Sequence, residues 1–337
     1  MTTLRVIDAG PAVTVQDMGR PGWTAKGLAR GGAADRLALL EAAALLGQEA
    51  PLAALEMAGA GGRFTVDAPT QFCLTGARMK AEVDGRPVGH AETVLLPPGA
   101  VLRVGGAEKG SYGYLAFAGG VFGEEWLGSR AAHLLAGVGR ALAAGDEIAL
   151  GSDPDPEAAA RVLVPEDRLG GGTVRMMPGP QTGLFGEGVL ERFLDTAFTR
   201  APQANRQGVR LEFEGAPFES ETQGLASDFI TSGDVQMTGD GRPYVLLAES
   251  QTVGGYPRIG TVITADLPRL AQAHAGDAVR FEMLGVEEAD ALWESETAQL
   301  ARLRKAVQPR VRDPHDIPDL LGYQLVGGVT RGNELEE

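Results

Sequence analysis

Gly276-Asp277-Ala278-Val279-Arg280-Phe281 is a turn that opens into a strand with one apolar and one polar side. Glycine and aspartate supply the turn chemistry, and the alternation after them has the period of two of a half-buried strand. The same phrase stands twice earlier, as Gly99-Ala100-Val101-Leu102-Arg103-Val104 and as Gly145-Asp146-Glu147-Ile148-Ala149-Leu150. Such entries suit the closing strands of small barrels, where every strand has an inner and an outer face. The third copy lies far from the first two and points to a second barrel. The 48 glycines and 20 prolines are spread along the chain, as short strands between turns require. The expectation is a mainly β protein with a few helices, built as two β-barrel domains.

Residues 151–172 mark the seam. They begin Gly-Ser-Asp-Pro-Asp-Pro, pass through Pro165-Glu166-Asp167-Arg168 and end in Gly170-Gly171-Gly172. Proline, glycine and charge together read as a solvated connection with few burial demands. One barrel is therefore expected over 1–150, a second over 173–285, and a terminal helix with an extension over 286–337. A helix is expected over 35–46, where leucines and alanines recur at helical spacing before Gly47. Others are expected over 182–194 and 267–273, and a long one over 286–307, which no glycine or proline interrupts. The tail after Pro309 reads as an irregular arm suited to packing on a neighbouring subunit.

Composition excludes several classes of function. At 337 residues and 44% hydrophobic composition the chain can bury a large core. With 45 acidic against 30 basic residues its formal charge is −15, which repels phosphate backbones and anionic membranes, so neither is an expected partner. The single cysteine, Cys73, forms no intrachain disulfide and sits in an apolar run as a packing thiol. No basic segment followed by an apolar one opens the chain, and no window has about 20 apolar residues, so a cytoplasmic protein is expected. The four histidines, His90, His133, His274 and His315, have no partners at metal-ligand spacing, and no metal site is expected. Phosphate-loop, nucleophile-elbow and dinucleotide fingerprints are missing, which disfavours standard hydrolase and NAD chemistry.

What remains is a set of amides and guanidinium groups at turns. Gln251-Thr252-Val253-Gly254-Gly255-Tyr256-Pro257-Arg258 lies between two apolar runs that read as strands. Its glycines and proline serve a turn, but Gln251, Thr252, Tyr256 and Arg258 exceed what a turn needs; either a decorated turn or a small-molecule site accounts for them. Thr14-Val15-Gln16-Asp17-Met18-Gly19-Arg20 offers an Asp17–Arg20 pair that would shape its own loop, and Gln16, which could read a carbonyl. Gly27-Leu28-Ala29-Arg30-Gly31-Gly32-Ala33-Ala34-Asp35-Arg36 precedes the first helix. There the glycine pair opens backbone N–H groups to an anion, while Asp35 suits a cap. Gln181 follows two prolines at a helix start, Asn205 and Arg206 sit at the mouth of a strand, and Gln236 is an isolated amide near another. Such groups favour binding an amide, carboxylate or phosphate over abstracting protons. General bases are sparse, Asp17, Asp35 and Asp266 being the main candidates.

These motifs, in this order, resemble the family called allophanate hydrolase subunit 2, also described as biotin-dependent carboxyltransferase-like or KipA-like. The carrying residues are Thr14 to Gly22, Gly27 to Asp35, Thr75-Gly76-Ala77, Ala118-Gly119-Gly120, Leu127-Gly128-Ser129, Pro178-Gly179-Pro180-Gln181, Asn205-Arg206 and Gln251 to Arg258. The chain departs from the usual pattern at Gly31, Ala34, Ala43 and Gln207, where the family often has Ser, Met, Asn and Met. The resemblance implies two β-barrels, the second cyclophilin-like, and a subunit that works with a subunit-1 or B-type protein. Freestanding members resemble the C component of 5-oxoprolinase, which acts with partner subunits, a third hydrolase subunit among them. That enzyme opens 5-oxo-L-proline to L-glutamate with ATP, and magnesium is expected with the nucleotide. Fused members resemble the carboxyltransferase region of urea carboxylase, which uses biotin; another relative is a regulator that binds its partner. This chain has no biotin-attachment segment, so the carrier would be another polypeptide.

An ATP-dependent lactamase subunit is therefore expected first, a biotin-dependent carboxyltransferase second, and a non-enzymatic regulatory partner third. In that reading Arg258, Arg206, Gln251 and Asp17 carry the chemistry. Gln16, Arg20, Gln181, Asn205, Gln236, Thr252, Gly254, Gly255 and Tyr256 hold the substrate.

Overall fold

The three recurring glycines all take the left-handed backbone that their turns require, with φ of +77° at Gly99, +89° at Gly145 and +93° at Gly276. Each opens into a strand: Leu102–Phe117, Glu147–Leu150 and Ala278–Met283. The last two alternate exposed and buried residues in step with the sequence. The structure, a computed structural model, describes residues 1–220 and 225–311. The expected C-terminal arm and His315 lie outside those residues.

The first half is a nine-stranded antiparallel sheet curled into a half-barrel. Its spine is the 16-residue strand Leu102–Phe117, which pairs with Ala54–Ala58, Ala60–Val66 and Thr70–Val83. Thr2–Ala9 lies between Ala60–Val66 and Glu147–Leu150. Leu4, Phe64, Phe72 and Phe117 are packed together in its buried core. The second half is a closed barrel of seven strands between Gly172–Met177 and Ala278–Met283, and those two close the ring as its parallel pair.

Among the described residues five α-helices dress the sheets: α1 (Arg36–Leu46), α2 (Glu187–Asp195), α3 (Leu267–Gln272), α4 (Val286–Ala291) and α5 (Glu296–Ala306). Asp35 caps α1 by accepting the Ala38 N–H at 3.2 Å, and Gly47 ends it at φ +70°. α2 drives Phe193 into the barrel, where its ring stands 4.9 Å from Phe281 and 5.0 Å from Phe198. The expected helix over 182–194 is a 3-10 turn, Thr182–Leu184, followed by α2, with Gly186 as the break. The single helix expected over 286–307 is two. Ser295 accepts the Ala298 N–H at 3.2 Å and starts α5 afresh, so a serine cap divides a run with good helix propensity throughout.

The solvated linker is the larger correction. Arg161–Val162 pairs with Gln308–Pro309, and Leu163 is buried. Arg168, read as a surface charge, is 4% exposed. Its Nε donates to Asp35 Oδ2 at 2.7 Å, and Nη1 and Nη2 donate to the two Glu41 oxygens at 2.7 Å each. From the barrel side, Gln272 on α3 donates to Asp35 Oδ2 and Tyr112 O at 2.8 Å and accepts the Ser111 N–H at 2.9 Å. The first helix, the connection and the barrel are thus tied by one buried polar knot.

Breaking a buried ion pair from one side strands the other charge. Arg168→Met should therefore cost about 3–5 kcal/mol in chemical denaturation, and Arg168→Lys less. Burial already pushes the Glu41 carboxyl above its ordinary pKa, against the pull of Arg168. Without that arginine the folded state would hold its protons more tightly than the unfolded one. The deficit of the methionine variant should accordingly shrink as pH falls through the carboxylate range. A loss under about 1 kcal/mol, within the range of an exposed pair, would show that the knot carries no such weight.

Candidate functional site

A cleft of about 630 Å³ opens where the two halves and the C-terminal helices meet. Its walls come from the segment that enters α1, from barrel-rim segments that include Thr231, Gln251 and Pro268, and from the start of α5. Among the residues predicted for the site, Gln251 and Thr252 line it.

The charged residues that line the cleft are Arg30, Arg36, Glu294 and Glu296. The Arg30 Nε donates to Met18 O at 2.9 Å and its Nη2 to Glu296 Oε1 at 2.8 Å. Arg36 approaches the same Glu296 oxygen at 3.7 Å. Two guanidinium groups therefore share the Glu296 carboxylate, while the other acid of the wall, Glu294, pairs with Arg302 at 3.1 Å. Burial, and then the neighbouring Arg30, pull Arg36 down to about 10 against the pull of Glu296. At neutral pH it stays charged, and an incoming anion would relieve its environment. Both arginines belong to the glycine-rich segment singled out from sequence. Glu296 gave no signal, since it is one more charge in a helical run.

In the glycine pair, the Gly31 amide is already occupied within the protein. Gly31 N–H donates to Ala248 O at 3.1 Å, and the Ala34 N–H that follows is taken by Glu56 Oε2 at 2.9 Å. The anion at this turn is a carboxylate of the protein itself.

The two arginines expected to carry chemistry are spent on internal partners. Arg206 pairs with Glu56, with Glu249 at 2.7 Å and with Gly32 O. Burial opposes its charge, but Glu56 and Glu249 more than offset that and hold the guanidinium above its ordinary pKa. Arg258 pairs with Asp228, with Asp234 at 3.3 Å and with Phe229 O at 2.7 Å. Gln181 Oε1 accepts from its backbone N–H at 3.0 Å and its Nε at 3.1 Å. Gln181, Arg258, Gln236 and Gly254 do converge, since a Cβ at Gly254 would meet Gln236 Nε2 at 2.9 Å. Gln236 Nε2 has no partner among the described residues.

The remaining candidates are dispersed. Asp17 makes no hydrogen bond to Arg20, contrary to expectation. Its oxygens accept from Gly19 N at 2.8 Å, Ser129 Oγ at 2.6 Å and Arg130 N at 2.7 Å, which fits a loop clamp rather than a base. Gln16 donates to Thr14 Oγ1 at 3.0 Å and Ala132 O at 3.1 Å. Asn205 is exposed and accepts the Gln207 N–H of its own turn at 2.8 Å. Gly255 and Tyr256 are exposed. Asp266 is bound by Arg175 at 2.6 and 2.9 Å. Cys73 is buried, and burial pushes its thiol well above the ordinary value, as suits a packing residue. Among the described residues no helix is long and apolar enough to cross a membrane.

Residues 26–283 match the family model described as carboxyltransferase domain, subdomain A and B. The chain is 34% identical over 292 residues to the C component of the 5-oxoprolinase of Escherichia coli (strain K12), covering 85% of this chain and 93% of that protein. It is 28% identical over 308 residues to a putative urea carboxylase of Emericella nidulans, covering 86% of this chain but only 25% of that protein. The crystal structure of the K. lactis urea amidolyase shares the fold, with a TM-score of 0.80 at 23% identity over 93% of this chain and 21% of that one. The matched model spans both the curled sheet and the barrel that frame the cleft, and the chain belongs to the carboxyltransferase domain, subdomain A and B, family.

Proposed function

We propose that the chain is the C component of an ATP-dependent 5-oxoprolinase and holds 5-oxo-L-proline in the cleft beside α1. The observation that carries this reading is the Arg30–Arg36 pair sharing the single carboxylate of Glu296. Arg36 reaches Glu296 only at 3.7 Å, so a ligand carboxylate would give it a closer acceptor, and a lactam acid brings one carboxylate and one planar N–C=O group. Gln251 and the hydroxyls of Thr252, Ser232 and Ser250 line the same cleft and match an amide's donor and acceptor. The likeness to the C component of the Escherichia coli 5-oxoprolinase over most of both chains supports the same assignment.

Among the described residues no group of three His, Cys, Asp or Glu side chains is placed to hold a metal ion together. Magnesium carried by a nucleotide needs only one or two carboxylates beside phosphate oxygens and water, so the absence of such a cluster does not decide where it binds; in this reading the nucleotide and its magnesium belong to a partner subunit. This chain's part is then binding and orientation: it fixes the carboxylate, excludes water from one face and presents the lactam. The family description and the urea carboxylase relative support a second reading, carboxyl transfer from biotin to urea or a related amide.

Co-purification with the subunit-1 type partner and measurement of ADP release separates the two, with 5-oxoproline and then urea as substrate. Turnover of urea with no response to 5-oxoproline would replace the first reading by the second. In the reconstituted complex Arg36→Ala should raise KM for 5-oxoproline by about tenfold to a hundredfold, the weight of one charge-assisted contact, with kcat little changed. Glu296→Gln should act in the opposite direction and lower KM several-fold, because it frees the arginine pair from its internal carboxylate. An unchanged KM in the first variant, or a raised one in the second, would remove the pair from substrate binding.

A further inference from the structure

Leu127 is a poor residue for the turn it occupies. Trp126 and Ser129 bond each other's backbone at 2.8 and 3.2 Å, and between them Leu127 and Gly128 hold φ of +54° and +80°. Two left-handed residues in succession make a tight hairpin turn that asparagine and glycine enter easily and a bulky aliphatic residue does not. Leu127 is 40% exposed, beside Trp126 at 52%. A strained backbone that shows an apolar side chain to water points to something the side chain meets outside the chain.

The turn is held from behind by the first motif of the sequence. Ser129 Oγ and the Arg130 N–H donate to the two oxygens of Asp17 at 2.6 and 2.7 Å. Arg20, 0% exposed, donates from Nε to Trp126 O at 3.4 Å and from Nη2 to Ala131 O. The same loop, 17–20, also grips the cleft wall. Met18 O accepts from Arg30 Nε at 2.9 Å, Asp17 O accepts the Ala33 N–H at 2.8 Å, and the Arg20 N–H donates to Arg30 O at 2.8 Å. One loop thus stands between the Arg30 wall of the cleft and the back of an exposed apolar turn. A tip fixed in this way loses little conformational freedom on association, which is what an interface anchor requires.

The ionic groups around the tip are already engaged. Arg130 pairs with Glu125 at 3.3 Å and lies over the Phe122 ring at 5.3 Å, and the Trp126 indole N–H donates to Glu124 at 3.0 Å. What the patch offers is apolar area. A second copy of the chain fits it poorly, because two chains of formal charge −15 would meet there with no opposite charge to offset their repulsion. Under the proposed function, the polypeptide that has to reach this side is the partner subunit that brings the nucleotide, since the lactam lies just across loop 17–20.

We propose that the Trp126–Leu127 turn is the seat of that partner, received in an apolar hollow of its surface, and that loop 17–20 joins the seat to the Arg30 wall of the cleft. The proposal rests on the reading of the chain as one component of a multi-subunit enzyme and adds where the other subunit docks.

The test titrates the full chain with the purified subunit-1 type partner by calorimetry, with sedimentation of the chain alone alongside. Trp126→Ala should weaken the complex about thirtyfold or more, the range of an interface anchor. Leu95→Ala, which removes an apolar side chain of similar exposure (41%) on another strand, should leave it unchanged. Leu127→Gly separates docking from folding. Glycine accepts the left-handed backbone, so the melting temperature should hold or rise while partner affinity falls about tenfold. A leucine with a structural role alone would lose stability and keep affinity. Full affinity in a folded Trp126→Ala would overturn the seat and leave the proposed function, judged by 5-oxoproline turnover, untouched. Turnover of urea alone in a complex that still depends on Trp126 would change the function and uphold the seat. No complex with the wild-type chain, or a dimer of the chain alone that Trp126→Ala dissolves, would overturn the seat, the second by making another copy the occupant.

Discussion

One chain of buried charge joins the two halves of this protein, and the cleft exists because of it. Glu56, on a strand of the curled sheet, accepts from Tyr114, from the Ala34 N–H and from Arg206 of the barrel. Tyr114 in turn accepts the Asp35 N–H at 2.8 Å, and Asp35 caps α1 while binding Arg168 and Gln272. Each carboxylate in this relay is taken out of water, and each is matched by a guanidinium or a fixed N–H or O–H. Such networks gain little over apolar packing when complete but cost several kcal/mol when one member is lost. They therefore specify a relative placement of the two sheets that apolar contacts alone would leave looser.

That placement determines what the cleft offers. α1 starts at the relay, so Arg36 at its first turn and Arg30 just before it are set against the barrel rim. α5 packs along α1 and brings Glu296 to the arginines as an internal carboxylate. Behind the same segment, Arg20 and His133 hydrogen-bond to backbone carbonyls and an amide, with Glu249 Oε2 3.9 Å from His133 Nδ1. Arg30 and Arg36 thus meet in one wall of a protein whose formal charge is −15. A small anion is drawn to that wall by local charge, against the field of the rest of the surface.

Arg206 and Arg258 show how residue type and position in sequence mislead about role. Both sit at strand ends among glycines and amides, the pattern of a binding loop. In the fold each is surrounded by two carboxylates supplied from distant segments, Glu56 and Glu249 for one and Asp228 and Asp234 for the other. Nothing local to Arg206 announces Glu56, 150 residues away. Arg168 errs in the opposite sense. Proline, glycine and neighbouring acids mark its segment as solvated, yet the two acids it binds, Asp35 and Glu41, come from the first helix and its cap. Arg30 and Arg36, by contrast, lie in a stretch whose glycines and helix start already pointed to an anion, although the Gly31 amide named for that task is used elsewhere.

Strand-forming alternation, left-handed turn glycines, the capped first helix and the mainly β class were legible in the chain itself, because each depends on residues within a few positions of one another. Backbone conformation and the side of a strand that faces inward are local properties, and period and turn chemistry report them directly. Which guanidinium groups are neutralised and which are left facing a cleft depends on carboxylates that arrive from distant segments. Coulomb attraction and desolvation act through space and carry no sequence spacing. Only the packed arrangement of sheet, barrel and helices decided that Arg206 is structural and that Arg30 and Arg36 share one acid.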